Sequence, residues 1–293
     1  VGGFVPQDMA YGIDVDGSGC AYVMGYTLSS NFPTVTPYQT DQYGIDVFIT
    51  KLSASGDSLV YSTYLGGSDH DFGYGGIVVD DSGCAYIAGY TSSTDFPTQN
   101  PYQTEPGDGT YDVFVTKLSQ TGNSLVYSTY IGGSGGDTAS TLDIDIEGCA
   151  YVAGSTSSSN YPVQNPFQIF QGNTDVIVTK LSPSGNSLVY STYLGGSSQE
   201  SANDIAVDDL GCVYLTGETS SGDFPLLAPL QTIQGGKDGF VTKLSPSGDS
   251  LIYSTYLGGS AYYDVGKALQ TDAYGNVFVA GGTDSADFPT LNP

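Results

Sequence analysis

Residues 58–68 read Ser-Leu-Val-Tyr-Ser-Thr-Tyr-Leu-Gly-Gly-Ser, and nearly the same stretch returns at 124–134, 187–197 and 250–260. Working outward, Lys-Leu-Ser precedes each copy at Lys51, Lys117, Lys180 and Lys243, at steps of 66, 63 and 63 residues. An aromatic-Pro pair keeps the same beat at Phe32, Phe96, Tyr161, Phe224 and Phe288. A fixed period of this length means one supersecondary unit copied along the chain.

Each copy holds four β-type segments, here named A to D. In the second copy they run from Gly76 to Asp80, Ala85 to Thr91, Asp112 to Leu118 and Leu125 to Ile131. They are rich in Val, Ile, Tyr, Phe and Thr and are bounded by Gly, Ser, Asp or Pro, the composition of strands and their turns. No segment carries a 3.6-residue period, so almost no helix is expected. Between A and B lies Asp-x-x-Gly, starting at Asp16, Asp80, Asp145, Asp208 and Asp272. There Asp accepts from the turn backbone and Gly takes positive φ, which makes a tight hairpin. Ser-x-Ser/Thr-Gly, ending at Gly56, Gly122, Gly185 and Gly248, does the same between C and D. The longer B to C connection carries prolines that stiffen a surface excursion.

A four-stranded meander cannot bury both faces alone, but copies stacked around an axis can. The expected fold is all-β: a β-propeller of four-stranded antiparallel blades, about five of them, the last one half built from strands A and B only. A β-solenoid or a row of small sandwiches also fits the period, though solenoid coils are shorter and sandwiches need Greek-key crossovers. One domain is expected over 1–293, with units at about 9–66, 76–132, 141–195 and 203–258 and a partial unit at 265–283. Val1-Gly2-Gly3 matches the Leu-Gly-Gly that closes a D strand, which suggests a C and D pair ahead of residue 1.

Residues 58 to 97 run from Ser-Leu-Val-Tyr-Ser-Thr-Tyr through Asp-x-x-Gly-x-Ala-Tyr-x-x-Gly-x-Thr to Asp-Phe-Pro, and closely resemble the bacterial SBBP-type β-propeller repeat. The likeness extends over essentially the whole chain. It implies a secreted or cell-surface propeller without an assigned reaction, so it bears on fold and compartment more than on activity. The sequence departs from the repeat at one point: where the repeat has Asn after the turn Gly, four copies have Cys and only Asn276 keeps the usual residue.

With 31 acidic residues against 6 Lys+Arg, the formal charge of -25 repels phosphate backbones and anionic headgroups, so neither nucleic acid nor membrane insertion is expected. No apolar run approaches a membrane-spanning length. The chain starts without Met and without a basic, apolar leader, so any signal peptide is expected to be removed or to lie upstream. The expected location is extracellular or at the cell surface. The carboxylate excess serves solubility or collects Ca²⁺ through oxygen ligands.

Few residues offer chemistry. Asp14 and Asp16, in Asp-Val-Asp-Gly-Ser-Gly, are the candidate Ca²⁺ ligands, although the distal Glu of an EF-hand is missing and hairpin chemistry explains Asp16. Cys20, Cys84, Cys149 and Cys212 sit at like positions in successive copies, candidates for disulfide or interface contacts. Like positions on neighbouring blades are expected to lie beyond disulfide reach, which favours free thiols packed as small apolar groups. The strand C acids Asp46, Asp112, Asp175 and Asp238 precede a Lys by five residues, an odd spacing that puts each pair on opposite faces and has each pair with a neighbouring strand or turn. His70, the single His, lies in a loop without a nucleophile elbow and is expected to be an exposed loop residue. The tyrosines Tyr22, Tyr86, Tyr151 and Tyr214 recur on strand B, where packing accounts for them, and the absence of Trp weakens a lectin reading. No catalytic residue and no cofactor other than Ca²⁺ is expected.

The functional expectation is a non-enzymatic structural or interaction propeller that self-assembles head to tail into a filament or surface layer, since another subunit would hide the open edge of the half blade. A fragment of a longer array would leave the same edge. The alternative is a glycan- or protein-binding adhesion module using the variable loops between copies. A polysaccharide-active enzyme is the third option, to which a carboxylate pair about 5 to 10 Å apart in one cleft would point.

Overall fold

The structure, a computed structural model, describes residues 8–40, 43–232, 235–272 and 274–291, so the match at Val1-Gly2-Gly3 lies outside the described residues. Every regular element among those residues is a strand. The first copy forms β1 (Asp8–Val15), β2 (Ala21–Thr27), β3 (Asp46–Leu52) and β4 (Leu59–Leu65), hydrogen-bonded in chain order. The second forms β5 (Asp71–Phe72), β6 (Ile77–Val79), β7 (Ala85–Thr91), β8 (Asp112–Leu118) and β9 (Leu125–Ile131). The third is β10 (Asp137–Ile144), β11 (Ala150–Thr156), β12 (Asp175–Leu181) and β13 (Leu188–Leu194). The fourth is β14 (Glu200–Val207), β15 (Val213–Thr219), β16 (Asp238–Leu244) and β17 (Leu251–Leu257), and the fifth has β18 (Asp264–Thr271) and β19 (Val277–Thr283) alone. These are antiparallel propeller blades.

Strands B, C and D of the second copy have the bounds read from the sequence. Strand A differs. It begins at Asp71, stops after Phe72 and resumes at Ile77. Strands β1, β14 and β18 carry one bulge each, at Ala10/Gly12, Ala202/Asp204 and Gly266/Ala268. In the second copy Gly73, Gly75 and Gly76 cluster around Tyr74 at this point, which breaks the regular ladder, and contact with strand B is kept by Gly75 donating to the Ala88 carbonyl at 3.0 Å and Gly76 accepting from the Ala88 amide at 3.4 Å.

The chain divides into two compact units, one comprising the first two blades up to Ala139 with the turn Ser182–Ser187, the other the remaining residues. In the first, Tyr22, Met24, Val47, Ile49 and Leu65 pack against Ile77, Ile87, Phe96 and Phe114. In the second, Tyr151, Val176, Val178 and Leu194 meet Ala202, Ile205, Leu215 and Phe240. Within each unit a blade thus buries a face against the next copy, as a repeat architecture requires.

Prolines leave the B–C excursions without a ladder of their own, yet each lies along the outer edge of strand D: Val35 pairs with Ser62, Gln99 with Ser128, Gln164 with Ser191 and Leu227 with Ser254. The second Tyr of Tyr-Ser-Thr-Tyr clamps the excursion, Tyr64 Oη donating to the Ser29 carbonyl at 2.7 Å and accepting from the Phe32 amide at 2.9 Å. The first Tyr of the motif sets the spacing of the copies. Gly122, at φ 72°, sits on the Tyr61 ring where a Cβ would overlap it, and Gly248 sits on Tyr190 in the same way.

Gly56 has the same positive φ, 73°, but no neighbour within 4 Å of its Cβ position. Gly122→Ala is therefore expected to lower stability by roughly 1–3 kcal/mol more than Gly56→Ala, the difference being overlap with Tyr61 and not backbone strain. Equal urea midpoints for the two variants would show that the ring does not set the spacing.

Candidate functional site

The turn Asp, the strand B Tyr and the strand C Lys converge in four copies. Asp16 lies 3.0 Å from Lys51 Nζ, Asp80 2.9 Å from Lys117, Asp145 3.0 Å from Lys180 and Asp208 3.1 Å from Lys243. Each ammonium also stands 4.3–4.6 Å from the ring centroid of Tyr22, Tyr86, Tyr151 or Tyr214, a cation–π contact. The hairpin forms because the other carboxylate oxygen takes the Ser18 and Cys20 amides in an Asx turn. Burial alone would raise the Asp16 carboxyl, but the Cys20 amide, Lys51, Ser18 and Tyr22 outweigh it and hold it at about 2. In the fifth copy Phe278 stands where the Tyr does, and Asn276 Nδ2 donates to Asp272 at 2.7 Å. Asp14, the other candidate Ca²⁺ ligand, accepts the Val15 amide and, at 2.7 Å, the Val79 amide of the next blade's strand A. Both acids are thus committed to backbone and Lys partners.

Cys20, Cys84, Cys149 and Cys212 are all free thiols. Burial first, with the turn Asp adding to it, pushes Cys84 and Cys212 up and Cys149 to about 11, so these three are poor nucleophiles at neutral pH. His70 is half exposed, its Nδ1 3.6 Å from Asp69 and its ring 6.3 Å from Phe72.

The strand C acids are buried and do not meet the lysines of their own strands. Each lies beside an acid that opens strand A of the next copy: Asp46 with Asp71, Asp112 with Asp137, Asp175 with Glu200 and Asp238 with Asp264, all at most 2% exposed. The Leu-Gly-Gly motif makes room for them. A Cβ on Gly66 would stand 2.7 Å from both Asp46 Oδ1 and Asp71 Oδ2. The strand A acid holds the second Gly, as Gly67, Gly133, Gly196 and Gly259 donate their amides to it at 2.7–2.9 Å. Burial raises Asp71, Asp112 and Asp175 to about 6. Hydrogen bonds from Thr283, Gly259 and Ser285 outweigh burial at Asp264 and lower it. The strand A acids were not singled out in the sequence, although an acid five or six residues after Leu-Gly in four copies is the signal.

A third feature does not repeat. In the first compact unit Tyr11, Tyr26, Phe72, Tyr74, Tyr90 and Tyr111 form a chain of ring contacts with centroids 4.3–5.7 Å apart. Tyr74 and Tyr90 stack at 5.7 Å and 11°, and Tyr11 is 43% exposed. The places of Tyr26 and Tyr90 are taken by Ser155, Glu218 and Gly282 in later copies, and those of Tyr11 and Tyr74 by Ser140, Asn203 and Lys267.

The family model described as a β-propeller repeat, SBBP, matches residues 60–97, 126–162, 189–225 and 252–289. No curated protein matches. Among solved structures, hydrazine synthase of Kuenenia stuttgartiensis is similar at 11% identity over 98% of this chain and 70% of that one, with a TM-score of 0.43. BamB of Moraxella catarrhalis is similar at 12% identity over 95% and 78%, with a TM-score of 0.34.

The two kinds of acid give stability opposite pH slopes. Raised carboxyls favour the folded state below their unfolded value of 3.8, and that contribution is lost as pH rises through about 6. The depressed Asp16 contributes above 3.8 and loses its contribution as pH falls toward about 2. In chelator, the urea midpoint is expected to climb from about pH 8 to about pH 5 and to turn down below about pH 4. Asp71→Asn should flatten the upper limb, and an unchanged limb would remove the pairs as its source.

Proposed function

Because the chain belongs to the SBBP β-propeller repeat family, we propose that it is a non-enzymatic interaction scaffold, extracellular or at the cell surface, that joins copies through an open strand edge. The observation that carries this is β19. Its counterparts β2, β7, β11 and β15 each pair with a strand C, and each strand D edge carries its proline excursion, whereas β19 pairs with β18 alone among the described residues. Phe278 on β19 is 62% exposed, and at the other end of the described chain β1 exposes Ile13 and Val15. A strand edge with apolar side chains exposed beside it can template pairing with another chain, which supports this reading. The reading as a non-enzyme is supported by the carboxylate pairs, which recur at four junctions and are buried beneath the Leu-Gly-Gly turns, a placement suited to structure and not to substrate.

Light scattering across a concentration series tests this. The chain should gain mass with concentration, and Phe278→Lys, which puts a charge on the edge, should hold it monomeric. A wild-type chain that stays monomeric at high concentration would overturn the reading.

The aromatic chain of the first unit favours a second reading, a binding surface for a glycan or protein ligand, because exposed rings held by their neighbours give contact area at little entropic cost. The protein contains no Trp, so tyrosine emission reports on it directly. Binding of oligosaccharides should perturb that emission in wild type and not in a Tyr11→Ala, Tyr74→Ala variant. An equal perturbation in both would place the binding elsewhere.

A further inference from the structure

The junctions between blades leave buried carboxylate oxygens without a donor, on strand A at Asp71 Oδ1 and Asp264 Oδ1 and on strand C at Asp112 Oδ1 in the first compact unit and Asp175 Oδ1 in the second. The Asp112 and Asp175 side chains are 2% and 0% exposed. Asp175 Oδ2 accepts the Gln171 amide at 2.7 Å. Its neighbour Glu200 is fully engaged, Oε1 by the hydroxyls of Thr219 and Ser221 and Oε2 by the Gly196 amide. A Cβ on Gly195 would run into Asp175 Oδ1 and stand 2.7 Å from Glu200 Oε2, so the donorless oxygen and the second carboxylate border the same glycine. Asp112 Oδ1 fills the same place at Gly132.

The charged groups facing these oxygens are acidic. Asp137 and Asp108 face Asp112, and Glu200 faces Asp175. Lys117 and Lys180, from the same strands, are drawn away to the turn acids Asp80 and Asp145. Further oxygen comes from the backbone: the carbonyls of Gly133 and Gly196 border the two loops at Gly107 and Gly172 that wrap Asp112 and Asp175. Two carboxylates side by side in a dry site cannot both stay charged without a compensating positive charge.

We propose that the pairs Asp112–Asp137 and Asp175–Glu200 each bind a Ca²⁺ ion, which ties strand C of one blade to strand A of the next. The donor set is all oxygen, with no imidazole or thiolate, which selects a hard cation over zinc or copper. The net charge of -25 adds a field that draws cations to the chain. This proposal is independent of the assembly reading, since it concerns the interior of each compact unit.

The test uses the whole chain stripped with EDTA, at about pH 7.5 and about 0.15 M NaCl to screen loose surface binding. Calorimetric titration with CaCl₂ is expected to show at least two saturable equivalents, and saturating Ca²⁺ to raise the thermal midpoint by about 5 °C or more. Asp112→Asn and Asp175→Asn should each lose one equivalent, while Asp14→Asn keeps both. If the pair variants fail to fold, the wild-type stoichiometry and midpoint still decide. No saturable binding, with a midpoint that climbs only on acidification to about pH 5, would mean that a shared proton neutralises the pairs and would overturn the proposal. Loss of Ca²⁺ in Asp14→Asn alone would overturn it as well.

Discussion

A tyrosine ring seated where a glycine has no side chain holds successive copies in register. Tyr61 meets Gly122, and Tyr190 meets Gly248. The ring is presented by strand D, and the glycine by the C–D turn of the following copy, so the contact fixes both the distance and the height of one blade against the next. It also explains why the turn Gly is doubly constrained: positive φ excludes most residues, and the ring excludes any Cβ. With the copies so placed, Tyr22 and its equivalents lie edge-on to the same ring set, 6.1–6.3 Å between centroids. The strand B Tyr then supports the Lys that satisfies the hairpin Asp. One packing contact thus leads to a polar cluster at the same end of each of four blades.

The blades treat buried negative charge in two ways. At the A–B hairpin end of the first four copies the turn Asp lies with a Lys, a Tyr and backbone amides, and its carboxyl is held down where a shift is resolved, as at Asp16, Asp145 and Asp208. At the Leu-Gly-Gly end the acids come in pairs, and burial pushes three of them up. A repeat that needed only stability would not stack carboxylates where apolar residues of similar volume cost less. Recurrence at four junctions makes the arrangement a property of the unit, and the burial of paired carboxyls couples the stability of the junctions to protonation.

Much of this was legible because turns and periods are local. Asp-x-x-Gly and Ser-x-Ser-Gly encode their hairpins within a few residues, and strands B, C and D fall where β-branched and aromatic residues alternate. Strand A was less legible. Its first residue is an acid, a poor strand former, held there by the glycine amide of the preceding turn, so Asp71 and Glu200 looked like loop. The odd spacing of Asp46 and Lys51 correctly parted them. It could not say that Lys51 would reach back to Asp16, or that Asp46 would meet Asp71, because both partners are set by the meander and the next blade. Asp14 shows the same limit: its neighbourhood in sequence suggested an ion loop, while its partner Val79 is 65 residues away.

Repetition itself carries little information about what the protein recognises, since any feature present in every blade is explained by the blade. Specialisation must lie where the copies differ. Two such places stand out: the fifth copy, where Asn276 stands at the Cys position and donates to the turn Asp, and the first two copies, where strand A and strand B exchange small polar residues for Tyr and Phe. The second difference has a structural cost. Phe72 and Tyr74 sit in the one strand A that glycines interrupt, where Gly75 and Gly76 still bond Ala88 of strand B, so the aromatic chain is built on a strand of reduced regularity. Glycines and large rings gathered on one strand, in a fold otherwise copied with little drift, depart from what the packing of the blade alone requires.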